Sequence, residues 1–161
     1  MQVELPYSFL NSLQTVKGFR ENKFIEAHTL HKPVTSIRIN PAKLKNAKAD
    51  TLLTTWLHER VPWSTCGYYL NERPSFTLDP WFHAGAYYVQ EASSMFLEQA
   101  LRQCLPQNVP LRILDLCAAP GGKSTHIQSV ISPRSLLVSN EVIKTRVNIL
   151  TENLIKWGTG N

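Results

Sequence analysis

The spacing of apolar residues changes several times along the chain, and each change marks a different kind of element. Tyr7, Phe9, Leu10 and Leu13, then Phe19, Phe24, Ile25 and Leu30, fall into two groups that read as helical, with Gly18 between them. From Val34 to Asn40 the period drops to two. Ile37 and Ile39 alternate with Ser36 and Arg38, which predicts a strand with one buried face, Arg38 pointing away from it and Pro41 ending it. Asp50 is placed to cap a short helix carrying Leu52, Leu53, Trp56 and Leu57, limited by Pro62. A Pro- and aromatic-rich stretch follows from Val61 to Val89 and is assigned no element. Helical spacing returns over Gln90–Leu105, with Phe96, Leu97, Ala100, Leu101 and Cys104 on an apolar face and Pro106 and Pro110 closing it. The remainder reads as strand Leu111–Leu116, helix Gly121–Ile131, strand Ser135–Ser139 and helix Val142–Trp157. This β-α-β-α order is the opening half of a doubly wound parallel sheet, so the fold class is α/β. A small α+β domain over residues 1–88 precedes a Rossmann-like domain over 89–161.

The first strand and helix of that unit are joined by Asp115-Leu116-Cys117-Ala118-Ala119-Pro120-Gly121-Gly122-Lys123-Ser124. A turn of small residues keeps side chains away, so that backbone N–H groups and the helix N-terminus can approach a ligand at the carboxyl edge of the strand. Gly122-Lys123-Ser124 copies the tail of a phosphate-binding P-loop, but Cys117 stands where that pattern needs its first glycine. A dinucleotide fingerprint needs three spaced glycines, and Cys117, Ala119 and Pro120 crowd those places. S-adenosylmethionine is the third reading, because its carboxylate and amino groups need backbone donors and acceptors rather than a deep pyrophosphate cradle. Asn140-Glu141 puts a carboxylate at the tip of the second strand, where it can accept bonds from both ribose hydroxyls. Alternatively, Glu141 is only an acid favoured by a helix N-terminus.

Composition narrows the setting. The 161 residues are 43% hydrophobic and 18% charged, as in a soluble globular protein. No apolar run nears the roughly 18 residues of a membrane helix, and the start lacks a secretory pattern. Cys66, Cys104 and Cys117 are too scattered for a disulfide or zinc framework, so a cytoplasmic setting and no metal are expected. Seventeen Lys and Arg against twelve Asp and Glu leave a net charge of +5, which favours a polyanionic partner. Lys32, Arg38, Lys43, Lys45 and Lys48 lie in a stretch without acids and are candidates to track RNA phosphates, or else form a solvated strand edge and loop.

The segment Asp115 to His126 resembles the cofactor motif of the Sun (Fmu) family of RNA cytosine-5 methyltransferases. Tyr87-Tyr88-Val89-Gln90-Glu91-Ala92-Ser93-Ser94-Met95 resembles the segment that precedes it there. Asn140-Glu141 and Arg146 are also in keeping with the branch that modifies ribosomal RNA. The resemblance implies that the backbone of Cys117, Ala118, Ala119, Pro120, Gly121, Gly122 and Lys123 surrounds the methionine part of S-adenosylmethionine, that Glu141 holds its ribose, and that Lys123 lies near the cofactor or an RNA phosphate. It also implies two catalytic cysteines in Pro-Cys or Thr-Cys motifs, because carbon 5 of cytosine becomes nucleophilic only after a thiolate adds to carbon 6. Neither motif occurs beyond the strands seen here, and Cys66 and Cys104 stand before the cofactor turn, so no catalytic residue is assigned, and Cys117 is taken as a small packing residue. The family continues with further strands, so the sequence reads as the front part of a longer enzyme that does not methylate alone. The competing reading is a complete, non-catalytic RNA-binding or assembly module with a vestigial turn. Tyr68, Tyr69, Trp81, Tyr87 and Tyr88 are stacking candidates for exposed bases or, more simply, core.

Overall fold

The computed structural model describes residues 5–30, 34–44, 56–106 and 108–160. The chain divides into two compact units, Met1–Val34 and Thr35–Asn161. In the first, helices α1 (Tyr7–Leu13) and α2 (Glu21–Leu30) are separated by Gly18 at φ 85°. Leu10 is buried there, and the Phe24 ring lies 6.1 Å from Phe9 and 5.4 Å from Phe19.

The second unit holds two sheets. Strands β1 (Ser36–Ile39), β2 (Leu57–Arg60), β3 (Gly67–Leu70) and β4 (Tyr87–Val89) form an antiparallel sheet in the order β2-β3-β1-β4. Between β3 and β4 run a 3₁₀ turn, Phe76–Leu78, and a short helix α3 (Pro80–His83), capped by the Asp79 side chain, which accepts from Trp81 N. One face of the sheet closes over Ile37, Ile39, Leu44, Tyr68, Leu70, Phe76 and Tyr87. A second 3₁₀ turn, Ser93–Phe96, leads into α4 (Leu97–Cys104), and then the parallel unit follows: β5 (Arg112–Asp115), α5 (Gly122–Val130), β6 (Leu136–Ser139) and α6 (Lys144–Trp157). β5 and β6 pair in parallel from Arg112↔Leu136 to Asp115↔Ser139.

Three expectations change. Leu57 begins a strand, paired with Leu70, where a helix end was expected; Asp50, Leu52 and Leu53 lie outside the described residues. A short apolar run such as Trp56-Leu57 carries too few positions to separate period two from 3.6. The expected apolar face of α4 is not its buried side: Phe96, Ala100 and Cys104 are exposed, and its buried residue is Glu98. Arg38 does point away from the Ile37 and Ile39 face, yet it is 0% exposed, because β1 is an inner strand whose other face is covered by α5.

Two buried polar side chains fix α5. Arg38 donates from Nε to Gln90 Oε1 (2.7 Å), from Nη2 to Thr125 Oγ1 (2.6 Å) and Gly122 O (3.3 Å), and from Nη1 to Ser129 Oγ (3.1 Å), with its guanidinium 4.4 Å from the centre of the Trp157 ring. Burial lowers its pKa to about 9, which leaves it charged at neutral pH. From α4, Glu98 accepts from Ser64 Oγ (2.8 Å), Thr65 Oγ1 (2.8 Å), Arg102 Nε (2.9 Å) and His126 Nε2 (3.3 Å). Burial opposes its charge, but the bonds from His126, Thr65, Ser64 and Arg102 outweigh that and hold the carboxyl well below the usual carboxylate range. Burial pushes the His126 pKa down, so the imidazole is neutral and donates through Nε2.

Candidate functional site

Where β5 and β6 end side by side, the chain turns into α5. Ala118 N donates to Asn140 O (2.9 Å), Asn140 Nδ2 to Leu116 O (3.0 Å) and Gly121 N to Ala118 O (2.8 Å). The Asp115 carboxylate accepts from Ser124 Oγ (2.7 Å) and Cys117 N (3.4 Å), and Ser139 Oγ donates to Ser124 Oγ (3.0 Å). Strand end, turn and first helical turn thus form one hydrogen-bonded piece. Among the described residues no side chain caps the N-terminus of α5. Its leading N–H groups therefore have no capping side-chain acceptor, and the positive dipole end favours an anion.

Small residues in this turn serve packing as well as ligand access. Gly121 sits at φ 109°, and a Cβ there would lie 3.4 Å from both Leu150 Cδ1 and Asn153 Cβ. Ala118 and Ala119 are buried with Leu150 and against Leu154. These three positions face α6. Cys117, expected as a packing residue, is exposed, as are Pro120 and Lys123, while Gly122 is half-buried.

Glu141 stands beside the turn. Its carboxylate accepts from Ile143 N (3.0 Å) and Ala119 N (3.3 Å) and pairs with Arg146 Nη1 (3.4 Å), while Arg146 Nη2 donates to Ala119 O (2.5 Å). The Ile143 bond, helped by the Arg146 charge and the Ala119 bond, lowers its pKa. Glu141 therefore braces the turn, and three of roughly four lone-pair directions on its oxygens are engaged.

Sequence reasoning missed the outer supports. Tyr88 Oη (3.2 Å) and Asn153 Nδ2 (2.7 Å) both donate to Pro120 O, and Gln90 Nε2 reaches Gly122 O (3.4 Å). Tyr88 and Gln90 are two apart, a period-two signal within the quoted segment Tyr87–Met95. Asn153 lies three residues after Leu150 and four before Trp157, on one helix face.

The basic stretch divides. Arg38 is buried and cannot meet RNA. Lys43 is exposed, but its Nζ donates to Ala84 O (2.6 Å) and Lys156 O (2.5 Å), satisfying the last turn of α6. Lys32, Lys45 and Lys48 lie outside the described residues. Of the aromatic candidates, Tyr68 and Tyr87 belong to the core, Tyr69 and Tyr88 are half-buried and Trp81 is exposed. No helix among the described residues is long and apolar enough to cross a membrane.

Residues 5–92 match the family described as the N-terminal domain of 16S rRNA methyltransferase RsmF, and residues 103–161 match 16S rRNA methyltransferase RsmB/F. Ribosomal RNA small subunit methyltransferase F of Shewanella loihica is 31% identical over 167 residues, covering 99% of this chain and 34% of that protein. Its namesake from Vibrio vulnificus is 32% identical over 169 residues, covering 99% and 34%. A methyltransferase homolog protein from Pyrococcus horikoshii superposes with a TM-score of 0.72 at 27% identity, over 98% of this chain and 55% of that one. NSun6 from the same organism, determined with SFG, gives 0.76 at 17% identity, over 97% and 64%. The fold is that of the amino-terminal region of an α/β methyltransferase. The chain belongs to the RsmF family of 16S rRNA methyltransferases and spans about a third of the length of the curated relatives it matches.

Proposed function

We propose that this chain contributes the cofactor turn of an S-adenosylmethionine-dependent RNA (cytosine-5) methyltransferase acting on ribosomal RNA. The observation that carries the reading is the uncapped N-terminus of α5 directly behind Cys117–Lys123, at the carboxyl edge of β5 and next to Glu141. Bound there, the cofactor supplies an electrophilic methyl group. The leading N–H groups of α5 and the Lys123 ammonium take its carboxylate, and the one lone-pair direction left on Glu141 takes a ribose hydroxyl. Arg146, Tyr88 and Asn153 hold the carbonyls of Ala119 and Pro120, which keeps the turn in one shape before ligand arrives. The attacking thiolate is assigned to none of the three cysteines: Cys66 packs against the antiparallel core, and exposed Cys104 and Cys117 have no hydrogen-bonded base among the described residues.

Lys123→Asp tests this cleanly. An acid in the first turn of a helix favours the helix, so the fold is retained while a negative charge enters the place of the ligand's carboxylate. Calorimetric titration of S-adenosylmethionine is expected to show affinity reduced about tenfold or more, some 1.4 kcal/mol. Equal affinities in the two proteins overturn the assignment.

A further inference from the structure

A cavity of about 260 Å³ lies between the edge strand β4 and the last turns of α6. Its walls include Phe76, Phe82 and Tyr88, with Arg73, Asn153 and Lys156 among the polar lining. Resting on the function proposed above, we propose that this cavity takes one unpaired nucleotide of an RNA, the base against the half-buried rings of Phe82 and Tyr88 and a phosphate at Arg73.

Size, charge and hydrogen bonding each point the same way. The volume is below the roughly 300–1,000 Å³ of pockets that enclose a drug-sized ligand, so it suits one ring system. Phe76 is buried in the core, but the half-buried rings of Phe82 and Tyr88 offer the kind of stacking surface that exposed bases use and paired bases cannot reach. A cationic guest is disfavoured, because the chain's own cations already lie on the rings: the Arg73 guanidinium is 5.5 Å from the centre of Phe76, and Lys156 Nζ is 5.3 Å from that of Phe82. Lys156 is paired with Glu152 at 2.6 Å, whereas Arg73 has no carboxylate partner among the described residues, which leaves one guanidinium free for an anion. Asn153 spends its Nδ2 on Pro120 O and Tyr88 Oη, and its Oδ1 has no donor among the described residues, so it can accept from the amino edge of a base. Tyr88 and Asn153 are also the side chains that hold Pro120 of the cofactor turn. A base seated here packs against the outer supports of that turn, so RNA and cofactor share a wall.

The test uses two exposed positions, Arg73 and Thr77, whose replacement spares the core. Thr77→Trp fills the cavity mouth and Arg73→Gln removes the cation. Fluorescence anisotropy with a labelled single-stranded RNA and with the duplex of the same sequence is the readout, after circular dichroism confirms folding. Thr77→Trp is expected to weaken single-strand binding about tenfold and leave duplex binding unchanged. Arg73→Gln is expected to weaken it and lower the salt slope by about one. Wild-type affinity in both variants, no single-strand binding by the unaltered chain, or equal losses on duplex each overturn the proposal. S-adenosylmethionine titrations on the same proteins separate the two readings. No cofactor binding by the unaltered chain with pocket behaviour as expected counts against the cofactor assignment alone, and intact cofactor binding with unaffected RNA in both variants counts against the pocket alone.

Discussion

The antiparallel sheet and the parallel pair lie in one compact unit, yet they cover their faces differently. On β1, Ile37 and Ile39 enter an apolar core, while Ser36 and Arg38 on the opposite face are equally buried, against Gln90 and α5. On the parallel pair, Leu114, Leu136 and Val138 are 57%, 53% and 49% exposed, although parallel strands are ordinarily covered on both faces. In this chain, which spans about a third of the length of its curated relatives, apolar burial is thus concentrated in the region that carries no candidate cofactor contacts. The region that carries them is held by polar side chains reaching across: Arg38 and Gln90 to α5, Tyr88 to Pro120, and Glu98 to His126. The antiparallel sheet acts as the rigid base on which the turn is mounted.

Removing that base should have the largest effect. Ile37→Ala empties a fully buried site and is expected to cost about 4 kcal/mol in urea unfolding. Arg38→Met keeps some of the volume but strips Gln90, Thr125 and Ser129 of their donor, for an expected loss of about 3 kcal/mol. A loss under about 1 kcal/mol would mean the two regions are not joined through Arg38.

The Glu98–His126 link should show itself through pH. Both groups have pKa values below their unfolded ones, so the unfolded chain takes up protons first. Stability is full above about pH 6.5, declines as unfolded His126 protonates, and declines further below about pH 4.3 as the Glu98 contribution fades. Glu98→Gln is expected to cost about 2 kcal/mol at pH 7 and remove the lower part of that decline, and His126→Gln the upper part. Unchanged acid profiles would break the link. The smallest effect is expected at Leu114→Ala, under about 1 kcal/mol, because little area leaves water there. A cost equal to that of Ile37→Ala would erase the contrast between the sheets.

The same contrast governs what the sequence reveals. The β-α-β-α unit is legible because Leu111–Leu116 and Ser135–Ser139 are local apolar runs joined by helices with clear ends. The antiparallel sheet is mostly hidden: β2, β3 and β4 are short, and both partners of β1 lie far along the chain, as in Ile37↔Tyr68 and Ile37↔Val89. The I-R-I alternation of β1 signals the strand correctly, but only the tertiary structure shows that its polar face meets α5. Likewise Glu98 looks like a solvated helix acid until Ser64, Thr65 and His126 close around it. At the turn, Asp115–Ser124 is visible as a motif, while Asn153 and Tyr88 come from distant segments and donate to Pro120 O.

The most direct measurement is amide NMR of the chain titrated with S-adenosylhomocysteine. Shift changes are expected to concentrate at 117–124 and 140–142, with the antiparallel core around Ile37 and Tyr68 unmoved. Changes confined to other residues, or none at saturating ligand, would contradict the assignment of this turn to the cofactor.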